Sequence, residues 1–335
     1  AQLRCADCRG MLKRLRALFS PPAPEGSSTQ IGEVPSPLQR YTGYKLADLD
    51  TLHTCASVPA SLRGDHCIDG FGVKTLYECV PFASPDSLNL ARLQHPIPDD
   101  GFHAEGIEYV ALLDAIERFA DDGTFVAVEA GAGWGPWLAM AGVVCRRRGV
   151  KDIQLIGIEA SAERFALMRR HLGFNQLDHQ HGVAVELFQG AVWSHDGLIH
   201  FPESAVEDMG AAASTDRSDN DYRGQQMPML EVPCTRLPSL VGEGRKVDFL
   251  HIDVQGAEGE VINSHLDWLN QRAHSMMIAT HSRPLEGELM VLLNANGWTL
   301  HREKPCHFEG GRVIDDWCGA TTVDGGQYWI NGKFT

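Results

Sequence analysis

A chain of 335 residues, 43% hydrophobic and 22% charged, is long enough for one large α/β domain plus an accessory segment and has the balance of a globular protein. Its formal net charge of −15 argues against nucleic acid, whose phosphates call for a positive face. No stretch reaches the roughly 18 apolar residues of a membrane span, so no stable membrane insertion is expected. Nine scattered cysteines are read as reduced thiols of a cytoplasmic protein. Cys5 and Cys8 supply two of the four ligands of a structural zinc site, and His53 and Cys55 are distant candidates for the rest.

Residues 1–40 combine a basic amphipathic run, Met11–Phe19, with Ser20-Pro21-Pro22-Ala23-Pro24. They are expected to be a tail or a linker from an upstream domain, and they lack the uninterrupted apolar stretch of a secretory leader. Residues 41–103 read as an accessory cap with a few strands and no helical period. His103 and Glu105 directly precede the core and are expected to help close the site. Residues 104–335 are the expected ligand-binding domain. It starts with a helix on which Ile107, Val110, Leu113 and Ile116 share a face.

From there strand and helix alternate. Phe125–Val128 is a strand, followed by a glycine turn and a helix from Pro136 to Arg148. Ile153–Ile158 is the second strand; its helix is capped by Ser161 and ends near Gly173. Val183–Phe188 is the third. Residues 202–229 form a long polar loop, in which Tyr222 and Arg223 are expected lid contacts to an acceptor. Val247–Ile252 leads to a helix carrying Val261, Ile262, Leu266 and Leu269. Met276–Ala279 leads to a helix that ends at Gly297. Trp298–His301 and Gln327–Ile330 follow without a helix between them. This order predicts a doubly wound, mainly parallel α/β sheet with an antiparallel edge pair at the C-terminus. Ligands in such sheets bind at the C-terminal strand ends, where the strand order reverses.

The turn is Val128-Glu129-Ala130-Gly131-Ala132-Gly133-Trp134-Gly135. Glycines there let a ligand approach the backbone. A carboxylate at Glu129 repels a dinucleotide pyrophosphate but suits the ammonium and sulfonium of S-adenosylmethionine (SAM). The spacing is also Gly-x-Gly-x-Gly, not the dinucleotide pattern. Glu129, Gly131, Ala132, Gly133, Trp134 and Gly135 are therefore expected cofactor contacts. Glu159, ending the second strand, can accept both ribose hydroxyls, a role open to NAD as well as SAM. Ala191, past the third strand, and Asp253, at the end of the fourth, complete the expected cofactor site.

The run His251-Ile252-Asp253-Val254-Gln255-Gly256-Ala257-Glu258 resembles the Ile-Asp-Val-Glu-Gly-Ala-Glu signature of FkbM-family methyltransferases. Gln255 stands where that family usually has Glu, His251 where Lys is common, and Trp134 where Asn is frequent. Ile278-Ala279-Thr280-His281 and Glu286-Gly287-Glu288-Leu289 are also similar to it, and the likeness covers about residues 104–300. The resemblance implies a class I, Rossmann-like, SAM-dependent enzyme that O-methylates a hydroxyl of a sugar, glycan or polyketide-like molecule. The alternatives are an NAD-dependent oxidoreductase and a non-catalytic binding or scaffold module. His281 and Asp253 are the candidate bases, with His281 favoured because an imidazole accepts a proton near neutrality. Gln255 is an expected acceptor contact. No metal is expected, since His179 and His181 lie in a surface connection. A second copy of the chain is a further possible partner.

Overall fold

The computed structural model describes residues 45–334 apart from 82, 122, 204–209, 216–226, 312 and 315. The segment 1–40 with Cys5 and Cys8, and the lid candidates Tyr222 and Arg223, lie outside the described residues.

Alternation along the central strands explains the layering. In β1 (Thr124–Ala130), Phe125 and Ala127 join one apolar core while Val126, Val128 and Ala130 join another. In β2 (Asp152–Glu159), Ile153 and Leu155 face the first core, and Ile156 and Ile158 the second. Successive side chains of a strand point to opposite faces, so strands apolar on both must be covered on both. Helices α1 (Gly106–Phe119), α2 (Pro136–Arg147) and α3 (Ala162–Phe174) cover the first face. Helices α4 (Glu258–Ser264), α5 (Leu266–Arg272) and α6 (Arg283–Ala295) cover the second.

The remaining strands are β3 (Val183–Gln189), β4 (Phe249–Ile252), β5 (Ser275–Thr280), β6 (Trp298–Lys304) and β7 (Gly325–Asn331). The seven lie in the order β3-β2-β1-β4-β5-β7-β6. Pairs among β1 to β5 are parallel, and β7 runs antiparallel to both β5 and β6. The antiparallel pair expected at the C-terminus is therefore present, with the last strand inserted on its inner side. Strand order reverses between β1 and β4, which opens a crevice at their C-terminal ends.

Three helical features depart from the sequence reading. Residues 46–55 form a helix, but it buries only Asp48 and Leu52, too few positions to show a period. Gly173 lies inside α3, and the left-handed residue past its end is Gln176, with φ 57°. The single helix expected after β4 is divided into α4 and α5 at His265, whose ring N–H donates to the Val261 carbonyl at 2.7 Å.

A second, three-stranded sheet was not expected. Met229–Thr235 lies between Ala191–Val192 and Gly197–Pro202. Pro233 argues against a central strand by its missing N–H, and the exposed Leu198 and Leu230 hide the alternation.

The segment before α1 is built into the core. Leu52, Phe71 and Val73 pack with the α1–α3 face, and Phe71 stacks on Tyr109 with ring centroids 5.3 Å apart. Phe71→Ala should cost about 3–5 kcal/mol. The loss should appear in one cooperative denaturant transition for the whole unit. A separate early transition, with the main one unmoved, would show that the segment is an independent cap.

Candidate functional site

The glycine turn after β1 is held by backbone bonds to β2: Gly131 and Ala132 N–H groups donate to the Ile158 carbonyl at 3.0 and 2.9 Å. Gly131 has φ +76°, and a Cβ added there would overlap the Asp253 carbonyl. Only glycine combines this conformation with that approach. Gly131, Gly133, Glu159, Ala191, Asp253 and Gln255 all line one cleft, together with Arg164, Trp193 and Phe201.

Glu159 forms the polar wall of this cleft. Its carboxylate accepts the Gly133 N–H at 2.8 Å on one oxygen and the Ser161 N–H at 2.7 Å on the other. Each oxygen keeps a lone pair, which suits a diol. Burial pushes this carboxyl above its ordinary value, against the opposing effects of the Ser161 N–H and the Arg164 charge.

Four expected contacts have different roles. Glu129 is only 2% exposed and points at the start of α2, where it accepts the Leu138 N–H at 2.9 Å. Burial raises its carboxyl to about 8 despite the nearby His251 charge and the α2 N–H groups. It therefore caps a helix N-terminus and is not the counter-charge that faces a sulfonium. Trp134 turns away from the cleft and packs with Cys79 and Val80, and its carbonyl receives the His171 ring N–H at 3.0 Å. Gly135, with φ +71°, makes room for Met168, and Ala132 lies in the α1–α3 core. These residues shape the turn and do not line the cleft.

His281, one residue past β5, is 3% exposed and lies between two carboxylates. Its Nε2 is 3.3 Å from Asp253 and its Nδ1 is 2.9 Å from Glu258. Burial alone would lower its pKa, but the two carboxylates outweigh burial and hold it well above the ordinary histidine value. Burial alone would raise Asp253, yet His281 and the His251 charge hold it below its ordinary value. A histidine held high between two carboxylates favours its charged form, which has no free nitrogen to accept a proton, so this setting argues against the base role expected for His281. The sequence shows Glu258 as a charge in the first turn of a helix but not this partnership. Glu258 also accepts the N–H groups of Val254 and Gly256, and Gln255 donates to Asp253 at 2.7 Å.

Among the described residues, Asp253, Glu258 and His281 are the one group spaced closely enough for a metal, with donor atoms within 4.8 Å of one another. The imidazole offers a different nitrogen to each carboxylate, so the three donors do not converge on one point. The geometry is that of an ion-pair bridge.

Asp253 also borders a second cavity of about 580 Å³. His103 and Glu105 are in its wall. His103 is 2.5 Å from Asp100, and Glu105 accepts from Lys304 at 2.7 Å. Lys304 and Asp324, neither singled out by pattern, line the same cavity.

The profile of the Methyltransferase FkbM domain family matches residues 128–298. A protein of Jannaschia sp. (strain CCS1) named "Putative methyltransferase" is 30% identical over 225 residues, covering 63% of this chain and 74% of its own length. Among solved structures, the precorrin-6y C5,15-methyltransferase of Geobacter metallireducens GS-15 has a TM-score of 0.37 at 10% identity, covering 68% of this chain and 89% of its own. An rRNA methylase of Streptococcus thermophilus has a TM-score of 0.36 at 9% identity, covering 67% and 95%. No described helix is long and apolar enough to cross a membrane.

The bridge has a signed pH signature. A folded-state pKa raised above the unfolded value stabilises fully below about pH 6.5, and the effect is lost as pH rises through the raised value. His281→Asn should cost about 3 kcal/mol at pH 6, because it leaves the buried Glu258 carboxylate without its cation, with the half-exposed Asp253 adding less. Denaturant titrations of both proteins should show this difference shrinking in alkaline buffer. A difference independent of pH would contradict a protonated bridge.

Proposed function

The chain belongs to the FkbM methyltransferase family, whose profile spans residues 128–298, and we propose on that premise that it transfers the methyl group of SAM to a hydroxyl of a sugar, glycan or polyketide-like acceptor. One observation carries the reading: Asp253 is a wall of both the glycine-turn cleft and the larger cavity. Transfer between two bound molecules gains most of its rate from holding them side by side in line, and adjoining sites with a common wall are suited to that.

The residues of the cleft fit SAM. Glu159 would accept the ribose hydroxyls, the Gly131 and Gly133 backbone would lie under the ligand, and Trp193 and Phe201 offer apolar surface to a base ring. When bound, SAM supplies a methyl group activated by its sulfonium. Asp253, held ionised by His281, presents negative charge at the junction of the two cavities, where a cationic centre is favoured. Family membership leaves the oxidoreductase alternative without support.

The larger cavity favours a neutral polyhydroxylated acceptor. Its wall mixes six carboxylates with the cations Arg92, His103, His281 and Lys304, most of them already paired with each other. Hydroxyls both donate and accept, so they match such a wall better than a purely anionic or apolar molecule does.

Glu159→Gln should weaken SAM binding by about 1–3 kcal/mol in calorimetry, with an unchanged far-UV spectrum. Unchanged affinity would remove Glu159 from the site. Radiolabelled SAM offered with methyl glycosides, oligosaccharides, amines and RNA should label glycoside oxygen. Label found only on amines or RNA would overturn the acceptor class, and SAM binding without transfer to any of them would favour the non-catalytic module.

A further inference from the structure

The bridge at His281 leaves the reaction without the base first assigned to it. Six carboxylates border the larger cavity: Asp99, Asp100, Glu105, Glu108, Asp253 and Asp324. Five have a cationic partner. Asp99 faces Arg92, Asp100 faces His103, Glu105 faces Lys304, Glu108 faces His251, and Asp253 faces His281. The Asp324 carboxylate has no such partner among the described residues. Only its backbone carbonyl is engaged, by the Lys304 ammonium at 2.8 Å.

Its position is fixed by the sheet. Asp324 joins the short strand Thr321–Val323 to β7, whose first residue, Gly325, pairs with Thr280 at the end of β5. Antiparallel register therefore sets residue 324 across from His281, and both line the cavity. Position 325 has to be glycine, because a Cβ there would press on the Thr280 hydroxyl at 2.6 Å and on the Glu286 carboxylate.

We propose that Asp324 is the catalytic base that takes the proton of the acceptor hydroxyl. This assignment rests on the O-methyl transfer argued above. The acceptor oxygen bonds to the methyl carbon, the carbon–sulfur bond breaks with its electron pair left on sulfur, and the hydroxyl proton passes to the Asp324 carboxylate. Asp324 is accessible from the cavity, so water can carry that proton away.

The alternatives are weaker bases. His281 is held in favour of its charged form by the carboxylates on either side, and Asp253 is held below its ordinary value by its bonds to His281 and Gln255. Asp324 is surrounded by His281 past β5, Lys304 ending β6, Asp253 past β4 and Glu258 opening α4. The residue is exposed at the turn, but the cavity wall partly desolvates its carboxyl, which raises it; His281 and Lys304 oppose this, Asp253 and Glu258 add to it, and the balance is upward. A carboxylate with a raised pKa accepts a proton more readily near neutral pH.

The test uses the full chain and Asp324→Asn, a near-isosteric change at an exposed turn. With carboxyl-13C aspartate and bound S-adenosylhomocysteine, one resonance should titrate above the ordinary aspartate value of about 3.9 and be absent from the variant. Asp324 titrating at or below that value would overturn the proposal. With a labelled methyl glycoside as acceptor, Asp324→Asn should lower the rate by roughly 10²–10⁴-fold and leave SAM affinity unchanged. Equal labelling by wild type and variant would also overturn it. Failure of the parent reading looks different: the wild type would then label no glycoside at any pH.

Discussion

The site depends on one close backbone approach. At Gly131 the turn leaving β1 passes so near the Asp253 carbonyl that no side chain fits between them. That contact joins the two central strands at the point where strand order reverses. It sets the Gly133 N–H on Glu159 on one side and leaves Asp253 as a wall of two cavities on the other. A bulkier residue at 131 would separate the strands and with them the two halves of the site.

Around this contact the charges are arranged in pairs. His251 and His281 are buried and His103 is half-buried, each beside carboxylates, and all three are held above the ordinary histidine value because those carboxylates outweigh the desolvation that would lower them. Buried charges are tolerated only when paired and hydrogen-bonded. The pairing also holds an unfavourable backbone in place. Gln255 adopts φ 56°, uncommon outside glycine, between Val254 and Gly256, whose N–H groups are both bound by Glu258. Strain of this kind persists where the surroundings over-determine it. Here the Glu258–His281–Asp253 bridge is what does so.

Much of this was legible in local sequence. The alternation of strands and helices, the glycine turn and Glu159 depend on short-range periodicity and turn chemistry, and they are where pattern reading put them. The FkbM signature carried the family. What pattern could not show was long-range pairing. Glu129 was read as facing the ligand because its position in the chain does not reveal that α2 folds back onto it. His281 was read as a base because Glu258, 23 residues earlier, has no sequence mark as its partner. Asp324 lies between two strands in an aperiodic insertion, and it stands out only by lacking the direct ion pair that the five other carboxylates of the cavity have. The second sheet was hidden by Pro233, although Trp193 and Phe201, beside and within its strands, wall the cleft.

The account stands on the cleft between the glycine turn and Glu159 being the SAM site, with the methyl-donating end at Asp253. A crystal structure with S-adenosylhomocysteine tests it most directly. The ribose hydroxyls should sit on the Glu159 carboxylate, and the sulfur should face the cavity bordered by Asp253, His281 and Asp324. A ligand seated elsewhere, or one whose sulfur is turned away from Asp253, would contradict the account.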